Sequence, residues 1–292
     1  MDTASLARLV ALAAVWGWGF VWFRMAAPSL GAAVTGDLRA VFGGLALIIY
    51  LALRGEGKNV REQLRRYGWH FLGAGLLSAA LPFVMFAYAA KQMPAAYLAI
   101  ANATSPMWAG IMAAIVGLER LTARRIVGMV VGLGGVALVV EARTGLPASQ
   151  FTPEFALGMA AALLATMGYG GVAVYIRKYL AGAEQRTAAA WSLLLSGIAL
   201  LPMIWFEPPP GPITTQAVLA LVGLSLACSA WGFLVYYRLL TDIGPIKTVT
   251  VTFLIPLFSI LWGALFTGET VTLGMLGGCA VVLVGTWMVV RW

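Results

Sequence analysis

Apolar residues fill this chain in long runs, interrupted by short clusters of charge, proline and glycine. A helix needs about 20 mostly apolar residues to cross a bilayer, within a range of about 17–25. Runs of that order fall at 6–23, 33–53, 69–90, 95–118, 124–140, 155–176, 187–206, 216–237, 246–267 and 272–290. The pattern therefore predicts an all-α integral membrane protein with ten transmembrane helices. Longer polar breaks are confined to 54–67, 141–154 and the segment Glu207-Pro208-Pro209-Pro210-Gly211-Pro212. The turn near Met93-Pro94 is the weakest division. The first run has some marks of a cleaved signal peptide, with Arg8 at its start and Ala26-Ala27-Pro28 or Gly31-Ala32-Ala33 as a small-residue exit. Its Trp-rich core, Trp16-Gly17-Trp18-Gly19-Phe20-Val21-Trp22, is unlike such a leader, so a spanning helix is the expectation.

Basic residues then predict orientation, because cytoplasmic loops carry an excess of Lys and Arg. With the N-terminus inside, 15 of the 19 basic residues fall in inside segments and four, Arg24, Arg39, Lys91 and Arg143, fall outside. That asymmetry predicts both termini in the cytoplasm, with 54–67 facing it.

Composition agrees with a lipid environment. Of the 292 residues 61% are hydrophobic and 10% charged, with a mean hydropathy of +0.91. Soluble domains carry about 45–50% apolar and about 25% charged residues. The net charge of +8 is spread through short loops without interleaved aromatics, which argues for a membrane surface and against nucleic acid. Cys228 and Cys279 lie inside apolar runs, and His70 is the only histidine. No disulfide framework, metal site, HExxH or GxSxG motif is implied, so no cofactor and no enzymatic activity is expected.

The two halves echo each other. At an offset of 150 residues Pro106 meets Pro256, Ala114 meets Ala264, Glu119 meets Glu269, Thr122 meets Thr272, Gly128 meets Gly278 and Gly135 meets Gly285. A second echo pairs Trp16-Gly17 and Arg24 with Tyr169-Gly170 and Arg177. Five helices is an odd number, so the second copy would enter the membrane from the opposite side. The expected organisation is a first repeat at 1–143 and an inverted second repeat at 144–292, a recurring build of secondary transporters.

The aromatic-Gly start followed by a basic residue, the Pro-x12-Glu frame and the two halves resemble the EamA branch of the drug/metabolite transporter superfamily. Within it the chain looks most similar to bacterial YddG-type amino-acid exporters. The resemblance covers essentially the whole chain. It implies a central cavity lined by the first, third, fourth, sixth, eighth and ninth helices. Tyr169 departs from the tryptophan the family often carries there, which puts the shape of any aromatic wall in question.

The residues themselves offer a site without buried carboxylates. No Asp, Glu, Lys or Arg is expected mid-span; Arg24, Lys91, Arg238 and Lys247 sit at ends where they can snorkel. Glu119 and Glu269 read as interfacial residues beside the Thr122 and Thr272 helix caps. Pro82, Pro106 and Pro256 lie deep in apolar runs, and each must free the carbonyl four residues earlier, at Ser78, Asn102 and Thr252. Irregular backbone at membrane depth is tolerated where it is buried in protein or lines a wet cavity. The expected substrate contacts are therefore Trp16, Ser78, Pro82, Asn102, Ser105, Pro106, Tyr169, Thr252 and Pro256. The competing reading is that the prolines only bend helices and Asn102 bonds between them. Trp18, Phe83, Phe86, Tyr88, Trp108 and Trp231 are further aromatic candidates for a cavity wall. Glycines 128, 132, 135, 274, 278 and 285 fall on helix faces that suit close packing, within a monomer or across a homodimer.

The expectation is an inner-membrane exporter of amino acids or similar small zwitterions, working by alternating access without an obligatory intramembrane proton site. A broader metabolite or cationic-drug carrier is the alternative. A membrane scaffold or sensor is the rival from another class.

Overall fold

A computed structural model describes residues 2–118, 122–141, 152–243, 248 and 251–291, all as helices and short turns. In chain order the helices are α1 (Thr3–Leu30), α2 (Ala32–Leu53), α3 (Gly57–Gly75), α4 (Leu81–Ala90), α5 (Ala95–Asn102), α6 (Ser105–Ile115) and α7 (Ala123–Glu141). They continue with α8 (Pro153–Tyr179), α9 (Gln185–Leu200), α10 (Met203–Phe206), α11 (Thr215–Val222), α12 (Gly232–Ile243), α13 (Val251–Thr267) and α14 (Leu273–Arg291). π-helical segments at Leu76–Ala80 and Gly223–Trp231 join α3 to α4 and α11 to α12 without a break.

The span count corrects the expectation. Among the described residues seven helical stretches are long and apolar enough to cross a membrane: Thr3–Leu30, Ala32–Leu53, Gly57–Ala90, Ala95–Ile115, Pro153–Tyr179, Gln185–Phe206 and Thr215–Leu239. Over the described residues Val251–Thr267 and Leu273–Met288 are apolar but shorter. Among the described residues the fold therefore shows seven membrane-crossing stretches, not ten transmembrane helices in two inverted five-helix repeats. The N-in/C-in assignment, which rested on ten alternating loops, falls with them. The chain is a multi-pass membrane protein with an all-α bundle.

Short-range signals in the sequence explain where the helices begin and turn. Asp2 caps α1 by accepting from the Ser5 N–H at 3.1 Å. Glu184 caps α9, accepting from the Thr187 N–H at 2.7 Å. Its burial would raise its pKa, but the hydrogen bonds from Thr187 and Arg186 outweigh this and hold it below the ordinary carboxylate range. Thr122 and Thr272 cap α7 and α14 through the N–H groups of Arg125 and Met275, at 3.3 and 3.1 Å. Gly31, with φ of +80°, makes the sharp corner from α1 into α2, a conformation other residues resist.

Close packing then assembles the bundle. The most extensive pairs are α7 with α14, α2 with α9 and α1 with α13. A Cβ added at Gly44 would lie 2.5 Å from the Leu194 nitrogen, and one at Gly17 would lie 2.8 Å from Cβ of Phe258. On the predicted glycine stripes, a Cβ at Gly135 would lie 2.6 Å from the Val282 nitrogen, and one at Gly285 would strike Gly132. These three glycines are thus consumed by the α7–α14 contact within one chain, so they do not present a dimer face. Outward positions such as Ile49, Val130, Leu219 and Leu265 are exposed and apolar, as lipid-facing positions must be.

At one end of the bundle two carboxylates tie elements together. Glu269 accepts from the N–H of Ala95 at 2.9 Å and of Ala96 at 3.5 Å, at the start of α5, and lies 3.5 Å from Arg24. Glu207 accepts from Ala32 at 3.2 Å and Ala33 at 3.3 Å, at the start of α2, and lies 3.9 Å from Lys91. Glu269 is therefore more than an interfacial residue beside Thr272. Glu119, its expected counterpart, lies outside the described residues, as do Arg143 and Lys247.

Candidate functional site

A cavity of about 350 Å³ occupies the middle of the bundle. It reaches from Trp16 and Phe20 on α1 toward Leu180 and Ala188, where α8 ends and α9 begins, away from the end tied by Glu207 and Glu269. Its volume lies at the small end of the range of about 300–1,000 Å³ typical of small-molecule sites. The wall is mostly aromatic and aliphatic, with a few polar groups converging on it.

Six of the nine residues expected to contact substrate stand together in this wall: Trp16, Ser78, Asn102, Ser105, Tyr169 and Thr252. Pro82, Pro106 and Pro256 do not line it. The prolines instead shape the backbone that presents their polar neighbours. Pro82 opens α4 directly after the π segment Leu76–Ala80, and Ser78 belongs to that segment. Pro256 is buried inside α13, one turn after Thr252. Pro106 opens α6 after a break at Ala103–Thr104.

The carbonyls at that break are not left open. The hydroxyls of Thr104, Ser105 and Thr286 donate to the carbonyls of Ala101, Asn102 and Ala103 at 2.7, 2.7 and 2.9 Å. Ser and Thr side chains commonly re-satisfy backbone groups that a membrane proline frees. The Asn102 carbonyl, expected to accept from a substrate, is thus occupied by Ser105. The Asn102 side-chain amide makes no hydrogen bond among the described residues and stands at the cavity wall.

The aromatic wall is held by polar contacts. The Trp16 indole N–H donates to the Cys228 carbonyl at 3.0 Å, and the Cys228 thiol donates back to the Val15 carbonyl at 3.3 Å. Cys228 lies in the π segment of Gly223–Trp231, where the widened turn turns a carbonyl toward α1. The ring centroids of Trp16 and Tyr236 are 5.6 Å apart, and those of Phe86 and Tyr169 are 6.2 Å apart. Phe83 and Phe86 line the cavity as expected of them, but Trp18, Tyr88, Trp108 and Trp231 do not. Trp18 packs against Trp262 and Phe266 instead, with centroids 4.9 and 4.6 Å away.

Two charged residues on α2 overturn the expectation that span interiors are free of ionisable groups. Asp37 is fully buried, and neither carboxylate oxygen has a hydrogen-bond partner. Arg39 is 8% exposed and lines the cavity, as the only charged side chain in the described wall. Its Nε donates to the Ser229 hydroxyl at 3.1 Å, and its guanidinium carbon lies 3.8 Å from the Phe83 ring centroid and 4.9 Å from that of Phe23. A desolvated cation over an aromatic face gains about 2 kcal/mol, less than the several kcal/mol needed to bury an unpaired ion. Arg39 and Asp37 had been hidden by their place near the start of an apolar run. A charge eight residues into a spanning helix was the available signal. Phe20 and Phe23 were legible too, since Trp16, Phe20 and Phe23 recur at i, i+4 and i+7 on one face. Phe233, Tyr236 and Tyr237 carried no such mark.

Among the described residues no group of three or more His, Cys, Asp or Glu is placed to hold a metal ion. The chain is 25% identical over 255 residues to Protein PecM of Dickeya dadantii (strain 3937), covering 86% of this chain and 80% of that one. It is 24% identical over 289 residues to the uncharacterized transporter YvbV of Bacillus subtilis (strain 168), covering 98% and 92%. A solved crystal structure at 18% identity superposes with a TM-score of 0.67, covering 99% of this chain and 98% of the other, which shows a shared fold. The EamA-like transporter family matches twice, at residues 5–141 and 156–291. The protein therefore belongs to the EamA-like transporter family and is a membrane transporter, not an enzyme.

Proposed function

We propose that this protein moves small organic metabolites across a cell inner membrane by exposing the central cavity to one side and then the other. The cavity itself carries this reading. It is enclosed by the long apolar helices, which Glu207 and Glu269 tie together at one end of the bundle, with polar groups from α2, α5, α6 and α13 converging on it. A static scaffold gives no reason to enclose about 350 Å³ at that depth.

The broad metabolite reading suits the mostly apolar wall better than a narrow one. The amino-acid or zwitterion form, in the manner of the YddG-type exporters, is supported by Asn102, Ser105 and Thr252, which offer neutral polar groups to an ammonium. None of the relatives' names specifies an amino acid. A cationic drug is disfavoured by Arg39, because like charges repel strongly in a poorly screened cavity.

Counterflow in liposomes containing the purified protein, with a panel of labelled metabolites, tests the proposal. Saturable flux above protein-free liposomes for at least one metabolite is expected. Absence of flux for the whole panel, from correctly folded protein, would leave a scaffold or sensor as the better account.

A further inference from the structure

Arg39 is placed in the wall by close packing rather than by chance exposure. A Cβ added at Gly43, one turn along α2, would lie 2.7 Å from Cβ of Ser229. That contact brings the π segment Gly223–Trp231 close enough for the Ser229 hydroxyl to accept a hydrogen bond from the Arg39 Nε–H. Phe83 and Phe23, both in the wall, lie against the guanidinium. The side chain is thereby fixed at its inner nitrogen and at its flat face, while its outer nitrogens donate no hydrogen bond among the described residues.

No carboxylate lies within ion-pair distance of Arg39 among the described residues. Asp37 is the nearest in sequence, but two positions along a helix is about 200° of rotation, so the two side chains leave α2 on opposite faces. A guanidinium presents a planar fork that matches a carboxylate through two parallel hydrogen bonds. The remaining wall, from Phe20 and Phe23 to Phe86 and Tyr169, suits a flat or apolar body.

We propose that Arg39 is the recognition group of this cavity and that the cargo is a small organic anion, a carboxylate on an apolar or aromatic body. The assignment names the substrate class of the transport site and rests on that reading of the cavity. The anion supplies the counter-charge the protein withholds, and the aromatic wall takes its body. Arg39 acts as a fixed, permanently charged anchor, so selectivity is against amides and amines of the same shape.

Binding separates this from transport. Purified protein in lipid nanodiscs is titrated calorimetrically with 3-phenylpropionate, 3-phenylpropionamide and 3-phenylpropylamine, and with aliphatic carboxylate and amide pairs of similar size. A charge-assisted hydrogen bond corresponds to roughly a ten- to hundredfold preference for carboxylate over amide, with the amine weaker still. Arg39→Gln abolishes the preference, and Arg39→Lys keeps part of it, since the point charge remains without the fork. Amides or amines binding as tightly as their carboxylates, or no carboxylate binding at all, overturns the proposal from the wild type alone, whether or not Arg39→Gln folds. Carboxylate binding that Arg39→Gln leaves intact in a folded protein overturns it as well. Flux in liposomes is then read beside binding. Carboxylates that bind through Arg39 but are never carried uphold the anion site and remove the transport reading. Saturable flux of other metabolites that carboxylates do not inhibit upholds transport and removes the anion site.

Discussion

The carboxylate of Glu269 accepts the backbone N–H of Ala95 at 2.9 Å across 174 positions of sequence, pinning the turn after α13 to the start of α5. Glu207 does the same for α2 through Ala32 and Ala33. Both place a negative charge at a helix N-terminus, where the unpaired N–H groups and the helix dipole favour it. Both also lie near a cation, Arg24 or Lys91. That end of the bundle is thus tied together by two separable contacts.

Glu269→Ala should release the start of α5 alone. Loss of a charge-assisted hydrogen bond corresponds to about 1.5–3 kcal/mol. Hydrogen exchange at the amides of Ala95 and Ala96 should accelerate at least tenfold, while Ala32 and Ala33 stay protected. Glu207→Ala should show the reverse. Unchanged exchange at both sites would mean that neither carboxylate ties this end together.

Adjacent glycines on α7 provide a test of the helix packing. A Cβ at Gly135 would meet backbone of α14, whereas one at Gly134 would meet nothing within 4 Å. Gly135→Ala should lower the melting temperature, since overpacking costs about 1–3 kcal/mol. Gly134→Ala should leave it unchanged or raise it slightly, because alanine is favoured over glycine in a helix by about 0.5–1 kcal/mol. Equal effects of the two substitutions would show that α7 and α14 do not meet along this face.

Asn102 tests the polar side of the wall. Its amide faces the cavity while its carbonyl is held by Ser105. Asn102→Leu should weaken substrate affinity by roughly ten- to a hundredfold if the amide bonds a charged substrate group, with the melting temperature close to wild type. Competition binding and thermal unfolding on the same preparation check both. Normal affinity, or loss that tracks unfolding, would assign Asn102 to helix packing.

Much of the site was legible because a polar residue or proline in an apolar run is conspicuous. Ser78, Asn102, Ser105 and Thr252 were marked by the irregular backbone their prolines impose. What could not be read was the partner of each freed carbonyl, since Thr286 reaches Ala103 from 183 residues away. Arg39 escaped for a related reason: near a span end an arginine can snorkel, and only the packing of Ser229 and Phe83 turns it inward. The span count exceeded what the structure shows because apolar runs report composition alone, and among the described residues seven helical stretches are long and apolar enough to cross. The glycine stripes were visible, but whether they served one chain or two depended on where α14 returned.

The central claim is that substrate passes through the cavity, and a thiol placed in its wall measures that most directly. Ala189 lines the cavity on α9. Ala189→Cys is made in a Cys228→Ser, Cys279→Ala background, which removes the two native thiols, and the protein is reconstituted in liposomes. Alkylation at position 189 should arrest flux of the best metabolite of the panel, and saturating metabolite should slow the alkylation. Complete alkylation with flux unchanged would show that the transport path lies elsewhere.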